Sequence, residues 1–138
     1  MVIVDFENME GGYGAVAVKA VKLITSGSFK NPSYAWDESA RGVLESKSTK
    51  EKGCPKGAFL GLCEEGFVKE VPCGNYTSSK DNKRYALKAV QLLKKNYQLS
   101  NNKQKLWDEV MKLEGKDIQH SGQMDVIIAL WKKGLIDV

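Results

Sequence analysis

The segment from Gln123 to Ile136 constrains the fold more than any other part of the chain. Five apolar side chains fall within about three helical turns: Met124, Ile127, Ile128, Leu130 and Trp131. So much apolar surface on one short helix predicts that this helix lies at the centre of the core. Gly134 follows the last turn, where a glycine can take the left-handed conformation that ends a helix. We therefore expect the chain to be built from amphipathic helices that end at glycine.

The same end signal occurs earlier in the chain. LCEEGFV, residues 62–68, matches LWKKGLI, residues 130–136, position for position. Gly66 thus marks the end of a helix that begins near Pro55, since proline is favoured in the first turn of a helix. The match is too short for an internal repeat of the usual length, so we interpret the two segments as two uses of one capping motif.

Helical spacing of apolar residues also recurs in the other segments. Two helices are predicted before residue 46, one from Tyr13 to Ile24 and one from the Asn31-Pro32 cap signal to about Glu45. Two more are predicted between the capping motifs. The starts of these two and of the last helix carry cap signals: Ser78 with Asp81, Asn101 or Asn102, and Ser121. The polar residues 46–53 are expected to form a loop.

These elements predict an all-α fold, a compact bundle of about five or six helices. The pattern also allows a minor β-hairpin near residues 67–76. We expect residues 1–138 to form a single globular domain, with residues 1–11 as an extended N-terminal arm.

Composition points to the cytoplasm. No apolar run approaches the roughly 18 residues that a membrane-spanning helix requires, and the first residues do not resemble a secretory signal. Three cysteines cannot all pair with one another, and a chain with 42% hydrophobic residues does not need disulfides. We therefore expect a soluble protein of a reducing cytoplasm, without a membrane partner.

The net charge of +4 conceals a basic central segment. Residues 46–105 carry 13 basic and 5 acidic side chains, whereas each flanking segment carries 4 basic and 6 acidic ones. On the helix predicted after Ser78, five residues are candidates for binding an anionic partner: Lys80, Lys83, Arg84, Lys88 and Lys95. Such a face suits an acidic protein or a nucleic acid, and it is also the usual appearance of a solvated helix surface.

The cysteines do not have the spacing of a metal site. They lie nine and ten residues apart with no C-x-x-C pair, so no metal or cofactor is predicted. Cys54 precedes a predicted helix and lies between Lys52 and Lys56, which favours its thiolate form. Catalysis would also need a base, and His120 is the one imidazole in the chain. Cys54 and His120 are therefore the catalytic candidates, against the commoner role of cysteine as a small buried residue.

Residues 58–79 have the order of features found in a winged-helix protein, where a recognition helix ends in glycine and two apolar residues begin a β-hairpin wing. AFLGLCEEGFVKEV followed by PCGNYTSS resembles that order. The acidic side chains of Glu64, Glu65 and Glu70 count against it, because they occupy positions that would face nucleic acid. Pro72 also shortens the first strand of the wing.

Three blocks of sequence carry a wider resemblance: CPKGAFLGLCEEG, NKRYALKAVQLL and QMDVIIALWKKGL. They resemble a family of small, mainly bacterial helical proteins known only as a domain of unknown function. The resemblance runs from about Gly12 to Ile136. It implies a bacterial, cytoplasmic, helical protein and assigns no activity, cofactor or site residue.

The sequence thus defines the architecture more closely than the activity. Our best hypothesis is a small non-enzymatic binding or regulatory domain with a basic face for an acidic partner. A winged-helix-like nucleic-acid-binding protein and a thiol-dependent enzyme centred on Cys54 are the alternatives.

Overall fold

The computed structural model describes residues 12–44 and 53–137. Six α-helices lie in these ranges: α1 (Tyr13–Thr25), α2 (Pro32–Val43), α3 (Gly53–Glu64), α4 (Lys80–Lys95), α5 (Lys103–Glu114) and α6 (Gln123–Lys132). A 3-10 helix, Tyr97–Asn101, joins α4 to α5. The protein is an all-helical compact bundle, which confirms the predicted fold class. The predicted arm at residues 1–11 and most of the predicted loop at residues 46–53 lie outside the described residues.

Helix α6 lies inside the bundle, where it packs against α1, α3, α4 and α5. Ile127 and Leu130 are completely buried, as the density of apolar residues in this helix predicts. Trp131 is only partly buried and packs against the edge of the core. The largest buried side chains are instead Trp36 of α2 and Trp107 of α5. The prediction is therefore confirmed for the helix, while the aromatic centre of the core comes from other elements.

Helices α3 and α4 approach each other closely along a pair of glycines. Gly57 and Gly61 lie one turn apart on α3, and both face α4. A methyl group on Gly61 would lie 2.7 Å from the Cα atom of Lys83, and one on Gly57 would lie 2.9 Å from the side chain of Ser79. Because neither position carries a side chain, α4 rests against the backbone of α3.

The two matching capping motifs lie side by side. Both glycines have left-handed backbone conformations, with φ of +76° at Gly66 and +69° at Gly134. The residue after each glycine donates to a carbonyl oxygen five residues earlier, Phe67 N–H to Leu62 O at 3.0 Å and Leu135 N–H to Leu130 O at 2.9 Å. Val68 and Ile136 then form an antiparallel bridge. The ends of α3 and α6 therefore meet, and the segments that leave them pair with each other.

Two of the predicted helix caps are confirmed. The side chain of Asn31 accepts a hydrogen bond from the backbone N–H of Ser33 at 2.8 Å. The side chain of Asn102 accepts one from the backbone N–H of Lys105 at 3.1 Å. Each asparagine thus satisfies one of the backbone donors that a helix start leaves without a partner.

Two other cap predictions were wrong. Ser79, rather than Ser78, precedes α4 and makes no side-chain cap bond, while the carboxylate of Asp81 pairs with Arg84. Gly122, with φ of +93°, precedes α6 in place of Ser121. The cap signals in the sequence were displaced by one residue because short polar residues are frequent in turns as well as at caps.

Residues 67–76 form no β-hairpin, which corrects the minor hairpin expected there. Their backbone contributes the bridge at Val68 and then runs back toward α3. The carboxylate of Glu64 accepts hydrogen bonds from the backbone N–H groups of Tyr76 and Thr77 at 2.6 and 2.7 Å. These bonds hold residues 76 and 77 against the end of α3. None of the helices in the described ranges has the length and apolar character needed to cross a bilayer.

Candidate binding face on helix α4

Helix α4 buries one side and exposes the other. Its buried side chains are Tyr85, Ala86, Ala89, Val90 and Leu93. The six basic residues of α4 all lie outside this buried side, and we call them the basic face: Lys80, Lys83, Arg84, Lys88, Lys94 and Lys95. Lys94 was missing from the sequence-based set, although at about 100° per residue it lies within about 40° of Lys80 on the helix surface.

The first carboxylate that contacts the basic face belongs to Glu64, the last residue of α3. Its side chain is only 7% exposed, and Lys83 Nζ lies 2.8 Å from Oε2. Burial works to raise the pKa of Glu64, but the hydrogen bonds from Lys83, Thr77 and Tyr76 outweigh it and hold that pKa below its ordinary value. Lys83 also contacts the exposed carboxylate of Glu65 at 3.0 Å.

The second carboxylate belongs to Glu114, the last residue of α5. Its side chain is 5% exposed; Oε1 lies 3.1 Å from Arg84 Nη2, and Oε2 accepts a hydrogen bond from Lys88 Nζ. The hydrogen bonds from Lys88 and Arg84 outweigh burial and hold the pKa of Glu114 below its ordinary value. Lys116 Nζ lies 4.0 Å from the same carboxylate.

Both carboxylates stand at the C-terminal end of a helix, where the helix dipole disfavours negative charge. Glu64 and Glu114 are nevertheless buried there, so each needs a cation from outside its own helix. The basic face supplies these cations. Lys83, Arg84 and Lys88 thus join α4 to α3 and α5, a role that the sequence pattern does not indicate. The available signal was a glutamate directly before or close to a helix-ending glycine, in EEG and in LEG.

The side chains of three lysines of the basic face make no hydrogen bond or ion pair with another described residue, and we call these the open lysines: Lys80, Lys94 and Lys95. All three are exposed. Lys80 and Lys95 stand at opposite ends of α4, about 22 Å apart along the axis at 1.5 Å per residue. The open lysines thus stand at the two ends of the helix, and their charge faces solvent.

The basic face also contains acidic side chains. Asp81 pairs with Arg84 at 2.8 Å, and its side chain is 63% exposed. Glu65, beside Lys83, is 46% exposed. The surface around α4 is therefore mixed in charge with an excess of cations, rather than uniformly positive.

The catalytic candidates lie at one end of the bundle, away from the capping motifs. Cys54 is partly exposed at the start of α3, directly before Pro55. A methyl group on Gly122 would lie 3.4 Å from Cβ of Pro55 and 2.8 Å from the ring of Tyr13, so the starts of α1, α3 and α6 meet here. Burial, then the charges of Asp125 and Cys54, raise the pKa of Tyr13.

His120 has a structural role at this end. Its Nε2 atom accepts a hydrogen bond from the backbone N–H of Met124 at 3.0 Å, in the first turn of α6. Its ring lies edge-on to that of Trp107, with centroids 5.5 Å apart. A groove of about 680 Å³ runs beside it between α5 and residues 117–120. No residue of the basic face lines this groove, so the positive charge of α4 and this cavity are separate features.

Within residues 12–44 and 53–137, no group of three or more His, Cys, Asp and Glu side chains is arranged to hold a metal ion. The three cysteines are free thiols; Cys63 is buried, and burial raises its pKa. Cys73 is exposed on the loop after α3.

These features define a small all-helical protein whose described residues include one exposed basic helix. The chain belongs to DUF6979, a family of unknown function whose family model matches residues 9–137. No curated protein and no solved structure shows significant similarity to it.

Proposed function

We propose that this protein is a non-enzymatic cytoplasmic binding domain whose basic face on α4 binds an acidic segment of another protein. The observation that carries the proposal is the set of open lysines at the two ends of α4, Lys80 at its start and Lys94 and Lys95 at its end, which are exposed and without carboxylate partners among the described residues. A surface with an excess of positive charge attracts a partner of the opposite sign and accelerates its encounter. Free thiols at all three cysteines support the cytoplasmic location, and the bacterial origin that the family resemblance implies remains a prediction.

The mixed charge of this surface favours a protein partner over nucleic acid. A nucleic-acid surface gains affinity by neutralising many phosphates at once, and carboxylates among its cations oppose that. The exposed Asp81 and Glu65 side chains lie among the cations of the basic face. A protein partner can match such a pattern with its own acidic and basic side chains.

The fold also disfavours the winged-helix alternative. A recognition helix must expose one side to enter the major groove. The helix in that position is α3, and its residues 57–64 are all buried. The loop that would form the wing is held by Glu64 without a hairpin.

The thiol-enzyme alternative has one supporting observation, which is that Cys54 and His120 lie at the same end of the bundle. Against it, the Nε2 lone pair of His120 is used by the backbone N–H of Met124 and does not serve as a base in this arrangement. Thiol-labelling kinetics decide the matter. If Cys54 reacts at neutral pH no faster than a free thiol, this alternative is eliminated.

Binding to a fluorescent poly-glutamate peptide, measured at low and high salt, tests the proposal. The triple variant K80Q/K94Q/K95Q removes the open lysines and leaves both buried carboxylates paired. The matched control K30Q/K105Q/K132Q removes three exposed lysines that also make no ion pair with the described residues and lie off α4.

We expect the wild type to bind the peptide in a salt-sensitive manner and the triple variant to bind about tenfold more weakly, since each surface ion pair contributes roughly 0.2–1 kcal/mol. The control should stay within about twofold of the wild type. Peptide binding that is absent, or equally weakened in both variants, contradicts the proposal. Tighter binding of a DNA oligonucleotide than of the peptide also contradicts it and favours the nucleic-acid alternative.

A further inference from the structure

Arg84 and Lys88 both bind the carboxylate of Glu114. They stand one turn apart on α4, and each binds a different oxygen of Glu114. Arg84 is 44% exposed and Lys88 is 31% exposed, so both cationic groups reach solvent above a carboxylate that is nearly buried beneath them. Arg84 also pairs with the exposed carboxylate of Asp81 at 2.8 Å. A guanidinium has five N–H donors and an ammonium has three, so both groups still retain donors for a further anion.

We propose that Glu114 is a built-in occupant of the carboxylate-binding position on α4, and that an acidic segment of the partner binds Arg84 and Lys88 by taking the place of Glu114. This inference rests on the proposed function, because it needs an acidic partner that approaches the basic face. It adds the chemical group that is recognised, a carboxylate with one oxygen on each cation. It also adds a mechanism that weakens binding to partners with few acidic side chains, since they must compete with an intramolecular carboxylate.

The position of Glu114 in the fold suits such an exchange. It is the last residue of α5, and the next residue, Gly115, has a left-handed backbone with φ of +67° and open space where a side chain would lie. The side chain of Glu114 therefore has room beside Gly115 to rotate away from the two cations, while α5 keeps its place. Lys116, which also approaches the carboxylate, is held through its Nζ atom to the hydroxyl of Tyr85 at 3.1 Å and stays in place.

Glu114→Gln tests the inference directly, because it keeps the shape of the side chain and removes its charge. With the competitor neutralised, Lys88 is released and Arg84 keeps only its pair with the exposed Asp81, so E114Q should bind the poly-glutamate peptide about three- to tenfold more tightly than the wild type. Glu38→Gln is the matched control. It makes the same change of net charge by releasing Arg41 on α2, an exposed pair on a helix that packs against α1 and α3.

A second measurement needs no variant. The NMR resonance of the Glu114 carboxylate carbon, followed at neutral pH in the wild type, should move toward that of a solvated glutamate when the peptide saturates the protein, because the two cations then bind the peptide instead. A resonance that is unchanged in the saturated complex overturns the inference, as does an E114Q variant that binds no more tightly than E38Q. In either case the proposed function stands if K80Q/K94Q/K95Q weakens binding. If the wild type and E114Q both fail to bind the peptide, the proposed function falls as well.

Discussion

Lys83 Nζ lies 2.8 Å from the Oε2 atom of Glu64, and this ion pair joins the last turn of α3 to the first turns of α4. It lies where Gly61 brings the two helices into backbone contact. The other oxygen of Glu64 holds the backbone of residues 76 and 77. One carboxylate therefore fixes both the helix that carries the basic face and the loop that leads to it.

The first prediction concerns the stability that Glu64 provides. Glu64→Gln removes a buried charge with three hydrogen-bond partners and should lower the free energy of unfolding by about 3 kcal/mol. Glu65→Gln is the matched control, because Glu65 contacts the same lysine from an exposed position and should contribute less than about 0.5 kcal/mol. Urea denaturation measures both values. Equal effects of the two substitutions would show that burial of Glu64 is irrelevant.

The second prediction is a dependence of stability on pH. The pKa values of Glu64 and Glu114 are lower in the folded protein than their ordinary values. Their contribution to stability is therefore complete above about pH 4.3, the unfolded value for glutamate, and is lost as the pH falls through the lowered folded values. Urea denaturation at a series of pH values should show a steep loss in acid for the wild type and a shallower one for E64Q. Parallel curves would contradict the linkage.

The third prediction tests the close contact of α3 with α4. Gly61→Ala should destabilise the protein by about 1–2 kcal/mol, because the clash with the backbone of Lys83 exceeds the gain in helix propensity. Gly53→Ala, at the exposed start of the same helix with open space around it, should be neutral or slightly stabilising. Thermal or urea unfolding compares the pair. A Gly61→Ala variant as stable as Gly53→Ala would mean that the helices lie farther apart than described.

The fourth prediction concerns the start of α6. His120→Ala removes the acceptor for the Met124 N–H and should cost about 1 kcal/mol, the usual contribution of a helix cap. Hydrogen exchange at Met124 should become faster by a corresponding factor. Gln119→Ala, at the exposed neighbouring position, is expected to change neither quantity. Unchanged protection at Met124 in the His120 variant would show that the imidazole is not the cap.

Much of the fold was predictable because the signals that indicate a helix lie close together in the sequence. The apolar spacing of α1 and α6, the asparagine caps of α2 and α5, and the glycines that follow α3 and α6 each depend on a few adjacent residues. The features that the sequence does not reveal are long-range contacts. In the sequence, Gly57 and Gly61 indicate only a low helix propensity, and their contact with a second helix is visible only in the folded protein. The pairing of Val68 with Ile136 likewise joins segments that are far apart in the chain.

The candidate site was predictable only as a set of charges. Helical periodicity predicts that Lys80, Arg84 and Lys88 lie on one face of α4, and in the structure they do. It carried no information about which of them are paired, because Glu64 and Glu114 belong to other helices and reach α4 only in the folded protein. The open lysines are therefore distinguished from the paired ones by tertiary structure alone.

Amide chemical-shift mapping of the wild-type protein during titration with the poly-glutamate peptide tests the central claim most directly. We predict that the shift changes concentrate on residues 80–95 and on Glu114 and its neighbours, and that added salt reverses them. Shift changes confined to the starts of α1, α3 and α6, around Cys54 and His120, would contradict the claim. The absence of any salt-sensitive change would contradict it equally.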